Sequence, residues 1–260
     1  SYVHMVPVKL LYGEKNYLDR IALSPERYYE MLASSKANFI STSQPSPGEF
    51  QRSFSFLSEH YRDIIYLSLA SILSGTMKSA LSARDKLKNQ SKIHVIDSKT
   101  ATVGIALIAR RISEAIENQL PIEEIHTMVE NLSERSRLLI TIPSLEALMR
   151  SGRLGKVRGF LAKILHLRPI LTLDHKGSIV KAAMVRGAEA GKKKLISLLR
   201  SRLGDGAVTD FAIAHVDDLK TAEWFREELL TYFRTEREIF IRDASPALAT
   251  HTGFGTLAVA

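Results

Sequence analysis

Thr42-Ser43-Gln44-Pro45-Ser46 is the stretch on which the fold turns. It follows the short apolar run Phe39-Ile40, and Pro47-Gly48-Glu49-Phe50 after it has the form of a helix start. Three hydroxyls and a carboxamide therefore stand where a buried strand gives way to a helix. Open α/β folds place ligands at such junctions, because backbone N–H groups point outward there and the helix dipole favours an anion. Ser and Pro also mark ordinary turns. A second loop of the same kind gives the stretch its weight.

That loop is Ser68-Leu69-Ala70-Ser71-Ile72-Leu73-Ser74-Gly75-Thr76, between a strand over Asp63 to Leu69 and a helix over Gly75 to Leu87. Gly75 lets a ligand approach the backbone, and Ser74 and Thr76 offer O–H donors to a carboxylate or phosphate. Helix capping by Ser74 or Thr76 accounts for the same residues. Asp97-Ser98 closes a third strand, Lys92 to Ile96, and reads as a cap or loop brace.

Outward from these loops, the first half alternates strand and helix. Val3 to Leu11 is a strand turned back at Gly13 to Asn16, and Ser24-Pro25-Glu26 starts a helix. Further helices are expected over Thr102 to Asn118 and from Pro121 to Glu134. This rhythm predicts a parallel sheet covered by helices. The second half reads differently. A strand over Leu138 to Ile142 and a short helix over Ser144 to Arg150 precede a basic helical stretch, Gly152 to Leu165. Arg168 to Leu173, Asp174 to Gly177 and Ser178 to Ala183 spell an antiparallel hairpin. Helix Ala188 to Leu203, strand Val208 to Ala214, helix Asp218 to Tyr232 and strand Glu236 to Ile241 follow. The expectation is a two-domain α/β protein: residues 1–135 a parallel-sheet α/β domain, residues 136–260 a smaller α+β domain with an antiparallel sheet, and a ligand cleft between them.

Composition narrows the chemistry. The chain has 260 residues, is 45% hydrophobic and contains no cysteine. Thiolate catalysis, disulfides and zinc–thiolate sites are excluded, and a reducing cytoplasm fits. The longest apolar run, Ala101 to Ala109, is far short of the ~20 residues that cross a bilayer. Net charge is +8, with Lys and Arg concentrated between Arg150 and Arg202. A solvated basic face explains this, as does a surface for an acidic partner or anionic lipid. Nucleic-acid binding is the weakest alternative, because no nucleic-acid motif accompanies the charge.

Arg153, in Gly152-Arg153-Leu154-Gly155-Lys156, and Arg186, beyond the hairpin, are candidates for recognising an anion through paired N–H groups. An isolated arginine is more often a surface residue. His251, in Thr250-His251-Thr252-Gly253-Phe254-Gly255, sits in what reads as a tight glycine loop, where a histidine is structural, binds, or relays a proton. Elbow, Walker, dinucleotide and zincin motifs are all missing from the sequence. The residues describe a holder of an anionic head group without a nucleophile or metal.

Taken in order, these motifs resemble the DegV family of bacterial fatty-acid-binding proteins. The matching residues are Thr42 to Ser46, Leu73-Ser74-Gly75-Thr76 with Ser79-Ala80, Val95 to Ser98, Ser144 to Leu148, Ser151 to Leu154, Leu167 to Leu171, the Asp174 to Gly177 turn, and Thr250 to Gly255. The resemblance implies one long-chain fatty acid held between two domains, with no cofactor and no metal. The tail would be buried and the carboxylate held near the surface by Thr42, Ser74 and His251. It implies that an ATP-dependent fatty acid kinase, separate or fused, phosphorylates the acid, so that this chain is a carrier and not an enzyme. Ser43, Gly75, Thr76, Arg153 and Arg186 then serve the head group or partner docking, and contact with an anionic membrane is a further expectation. Members start with a strand and an Asp/Ser-rich loop ahead of the Val6-Pro7-Val8 strand. Since this chain starts close to that strand, a preceding segment or a fused domain is expected. Met77 replaces an aromatic residue of the family pattern. A hydrolase or phosphotransferase working through His251 is the competing class.

Overall fold

The computed structural model describes residues 3–34, 40–154 and 167–260. A short hairpin opens the fold. Strand β1 (Lys9–Tyr12) turns at Gly13 into β2 (Lys15–Leu18). On its other edge β1 pairs antiparallel with β3 (Ser41–Ser43), with Leu10 opposite Thr42. Helix α1 (Pro25–Ser34) bridges β2 and β3. The strand expected from Val3 is paired only from Lys9, because Pro7 has no N–H for a ladder. Phe39 lies outside the described residues.

Helix α2 (Pro47–His60) begins at a complete capping box. The Ser46 hydroxyl accepts the Glu49 N–H, and the Glu49 carboxylate accepts the Ser46 N–H at 2.9 Å and a proton from Lys9 Nζ at 2.8 Å. The parallel pairing expected of the first half is carried by β4 (Ile64–Ser68) and β5 (Ile93–Asp97), while β1 to β3 form a separate antiparallel sheet. Helices α3 (Thr76–Arg84), α4 (Val103–Glu117) and α5 (Ile122–Arg135) follow the expected spans closely. Two apolar clusters, around Phe50 and Phe54 and around Ile108 and Val129, cover the two faces of the β4–β5 pair.

The second half builds one six-stranded sheet in the order β10-β9-β11-β6-β7-β8. Its strands are β6 (Leu139–Thr141), β7 (Leu167–Leu173), β8 (Ile179–Arg186), β9 (Ala212–His215), β10 (Phe240–Asp243) and β11 (Leu257–Val259). Helix α6 (Glu146–Ser151) ends at Gly152, whose φ of 73° closes the helix. Gly152 thus ends one helix and does not start another; from Gly155 the expected basic helix lies outside the described residues. Helices α7 (Ala188–Leu203) and α8 (Leu219–Tyr232) pack on one sheet face over Leu139, Ile213 and Val259.

Two elements were not read from the sequence. Helix α9 (Pro246–Thr252) carries His251, which was expected in a tight loop, and β11 inserts between β9 and β6. Ser245 caps α9 by accepting the Leu248 N–H. Val208, expected in a strand, makes only an isolated bridge with Arg234, so β9 is shorter than expected.

The central strands are buried throughout, and successive side chains pack on opposite faces. Ile213 and Val259 face α7 and α8, while Ala212, Ala214, Ala258 and Ala260 face the first half of the chain, packing with Leu10, Tyr28 and Val103. These small side chains let α4 lie close on the sheet over β9 and β11. We expect Ser46→Ala to lower unfolding free energy by about 1 kcal/mol, measured by urea denaturation, because it removes the cap that fixes the exit of the Thr42 loop.

Candidate functional site

One cavity of about 630 Å³ lies between the alanine face of the large sheet, the amino end of α4 and the Thr42 and Ser74 loops. That size lies within the roughly 300–1,000 Å³ of small-molecule sites. Its lining sorts by element, with β6, β7 and β8 at one end of the sheet order and β10 at the other. Thr42, Ser43, Gln44, Ser74, Arg153 and His251 form one polar cluster. Ile140, Leu171, Leu173 and Ile179 from the sheet, with Leu69 and Leu73 from the β4–α3 loop, form an aliphatic arm. A second arm towards β10 carries Phe240 and the charged residues Asp19, Arg20, Arg242 and Asp243.

Thr42 and His251 meet although 209 positions separate them: Thr42 Oγ1 lies 2.8 Å from His251 Nε2. Register places Thr42 beside Leu10, and α9 runs back over β1 and β3 to deliver His251. Burial, and then the Arg153 charge, push the His251 pKa down to about 4, so the ring is neutral near pH 7. Among the described residues, His251 Nδ1 is buried without a partner. An orphaned lone pair costs less than an orphaned N–H, so the proton belongs on Nε2. Nε2–H then donates to Thr42 Oγ1, and the Thr42 hydroxyl is left to donate into the cavity.

Ser74 Oγ lies 2.7 Å from Thr76 Oγ1 and accepts the Thr76 N–H at 3.3 Å. The capping explanation therefore holds in part, while Ser74 also lines the cavity. Thr76 is buried behind it and does not reach the lining. Gly75 is a contact point: a Cβ there would lie 2.1 Å from Gln44 Oε1. Gln44 Nε2 donates to Ser79 Oγ at 2.9 Å, so the carboxamide ties the β3 loop to α3 across Gly75. Arg153 is held by its own loop, donating from Nη1 to the Ser151 carbonyl at 2.5 Å. Arg186 is exposed at the end of β8 and stands apart from the cavity. Asp97 is a brace, accepting N–H groups from Ser71 and Lys99.

Sequence reading missed the alanines of β9 and β11 and the aliphatic arm. The signal of the alanines was present as small residues at every second position of Ala212-Ile213-Ala214 and Ala258-Val259-Ala260. It also missed Thr102, a β-branched residue at φ 46° on the cavity wall. Such a conformation costs roughly 1–3 kcal/mol and persists only where surroundings impose it. Among the described residues, no group of three or more His, Asp or Glu side chains could hold a metal ion, and no helix is long and apolar enough to cross a membrane.

The Thr42–His251 clamp, beside an aliphatic wall, has the make-up of a small-molecule site. The family follows from comparison: the model described as "Uncharacterised protein, DegV family" matches residues 1–260, and the chain belongs to the DegV family. A DegV domain-containing protein of Streptococcus pyogenes serotype M1 is 30% identical over 221 residues, 84% of this chain and 76% of that protein. A fatty-acid-binding DegV family protein from Thermus thermophilus superposes with a TM-score of 0.89 at 26% identity, covering 98% of this chain and 89% of the other. DegV of Bacillus subtilis, a fatty acid binding protein, gives 0.86 at 26% identity, with 98% and 90% covered.

Two outcomes follow from the clamp. Gly75→Ala should push the Gln44 carboxamide aside and cost about 1 kcal/mol, the worth of its bond to Ser79, read from denaturant midpoints. For His251, the folded pKa of about 4 lies below the ordinary 6.5. Below pH 6.5 the unfolded chain takes up a proton that the folded chain refuses. Stability therefore falls as pH drops from 6.5 to 4, by an amount on the order of 3 kcal/mol. Urea titrations at pH 7, 5.5 and 4.5 should show a smaller loss in His251→Gln than in the wild type.

Proposed function

We propose that the protein is a carrier of a long-chain fatty acid, holding the carboxylate at Thr42, Ser74 and His251 and burying the tail in the aliphatic arm. The observation that carries this reading is the convergence of Thr42, Ser74, Arg153 and His251 on one cavity whose adjoining wall is aliphatic. A carboxylate accepts hydrogen bonds and donates none, and the two hydroxyls can each supply a proton. The Arg153 charge, close enough to depress the His251 pKa, favours an anion at the same place. The fatty acids bound by the Thermus thermophilus and Bacillus subtilis relatives support the same ligand class.

Energetics agree. About sixteen carbons at ~0.8 kcal/mol per buried methylene give a gross gain near 12 kcal/mol. Ordering and association remove much of it. A charge-assisted hydrogen bond adds about 1.5–3 kcal/mol. The tail sets affinity and the clamp sets orientation.

In this reading the carboxylate, near the surface, is presented to an ATP-dependent fatty acid kinase in the cytoplasm, which forms the acyl phosphate. Ser43, Gly75, Thr76 and Arg153 shape the head-group site. Arg186 and the exposed Lys193 and Lys194 of α7 offer basic surface for docking the kinase or an anionic membrane. The domain boundary is placed near residue 136. Clusters confined to residues 50–129 and to residues 139–259 support it, with the cavity lying where the two units share a core.

A hydrolase through His251 has less support. In a nucleophile–histidine–acid arrangement a carboxylate orients the ring through Nδ1. Here Nδ1 has no partner among the described residues. Carrier function predicts that denaturing extraction of the protein, purified from a bacterial host and then offered oleate and palmitate, yields close to one fatty acid per chain. Thr42→Ala should retain the lipid but slow its phosphorylation by a kinase at least tenfold. No lipid in the wild type after loading contradicts the carrier reading, and an unchanged rate in Thr42→Ala contradicts the role of Thr42.

A further inference from the structure

The hairpin joining β7 and β8 exposes His175 and Lys176 at its tip, but the returning side of its turn, Gly177 and Ser178, is buried. Asp174 organises it, its carboxylate accepting the N–H groups of Lys176 at 3.0 Å and Ser178 at 2.9 Å. Gly177, at φ 79°, donates its N–H to the Asp174 carbonyl at 2.8 Å. Gly177 and Ser178 are buried because the tip is pressed onto the first half of the chain. A Cβ on Gly177 would lie 2.6 Å from the Ala70 Cβ and 3.1 Å from the Lys99 carbonyl oxygen. The two loops that receive it are themselves tied, with the Ala70 N–H donating to the Thr100 carbonyl at 2.8 Å.

This seat adjoins the aliphatic lining of the cavity. Leu173 and Ile179 are cross-strand partners at the mouth of the turn, and both line the cavity. Leu69 and Leu73, flanking Ala70 in the receiving loop, line it from the other side. With less than a methyl group of space between tip and loops, an acyl chain cannot pass beyond this point. The other arm ends in Asp19, Arg20, Arg242 and Asp243, which would leave a methyl end among charged groups.

We infer that the docked hairpin tip is the closed end of the acyl-chain site and that Ile179, opposite Leu173, sets the length of chain accepted. This rests on the fatty-acid-carrier reading and adds to it a residue that determines specificity. Removing atoms at Ile179 lengthens the arm, and adding them shortens it. Two further buried methylenes correspond to about a tenfold gain in affinity.

The test is a set of dissociation constants for saturated fatty acids of even length from C12 to C20, measured on wild type, Ile179→Ala, Ile179→Phe and Leu173→Phe. Circular dichroism verifies that each variant is folded. Ile179→Ala should move the optimum to a chain about two carbons longer, with the relative affinity of the longer chain rising about tenfold. Ile179→Phe and Leu173→Phe should move it to a shorter one. Opposite signs from Ala and Phe at one position separate a length stop from general destabilisation. An optimum that stays put in all three variants, or moves the same way in both Ile179 variants, overturns the inference. Phe240→Ala, measured alongside as the control for the other arm, also overturns it if that variant alone shifts the optimum, which would assign the tail to the charged arm. Those outcomes leave the carrier reading intact, whereas a wild type that binds no chain of any length overturns both.

Discussion

The site depends on one contact, the 2.8 Å bond between Thr42 and His251. It joins a strand of the small amino-terminal sheet to a helix near the carboxyl end, and each side is fixed by its own scaffold. Thr42 is set by its pairing with Leu10, and α9 by the Ser245 cap, Pro246 at its first position and the Thr250 hydroxyl donating to Tyr28. Because burial keeps the ring neutral, the histidine acts as a donor that orients the threonine hydroxyl and does not compete for the ligand as a cation. The Gln44 carboxamide, lying against Gly75 and bonded to Ser79, brings Ser74 into the same cluster.

A cavity beside that contact requires a sheet with two unlike faces. The central strands place Ile213 and Val259 towards α7 and α8, forming a conventional packed core. Their neighbours Ala212, Ala214, Ala258 and Ala260 face α4 and the amino-terminal elements. Of the four, Ala214 lines the cavity, and bulk there would fill it.

Much of this was legible because it is local. Ser46-Pro47-Gly48-Glu49 names its own helix start, and Asp174 to Gly177 names its own turn. The hydroxyls of Thr42 and Ser74 could be singled out because both follow apolar runs and precede helices. What stayed hidden depends on distant partners. Strand β11 has three residues and owes its existence to β9 and β6 on either side. Helix α9 has seven residues, too few to show a periodic face, and its glycine neighbours made His251 look like a loop residue. The two arms of the cavity belong to tertiary packing, and no local pattern in the chain announces them.

The central claim is a polarity: the carboxylate at Thr42, Ser74 and His251, and the methyl end towards Leu173 and Ile179. The most direct measurement is a crystal structure of the protein loaded with a long-chain fatty acid brominated at its terminal carbon, with bromine located by anomalous scattering. The account predicts carboxylate oxygens within hydrogen-bonding distance of the Thr42 and Ser74 hydroxyls and a bromine site beside Ile179. Bromine among Arg20, Arg242 and Asp243, or a carboxylate away from Thr42, would contradict it.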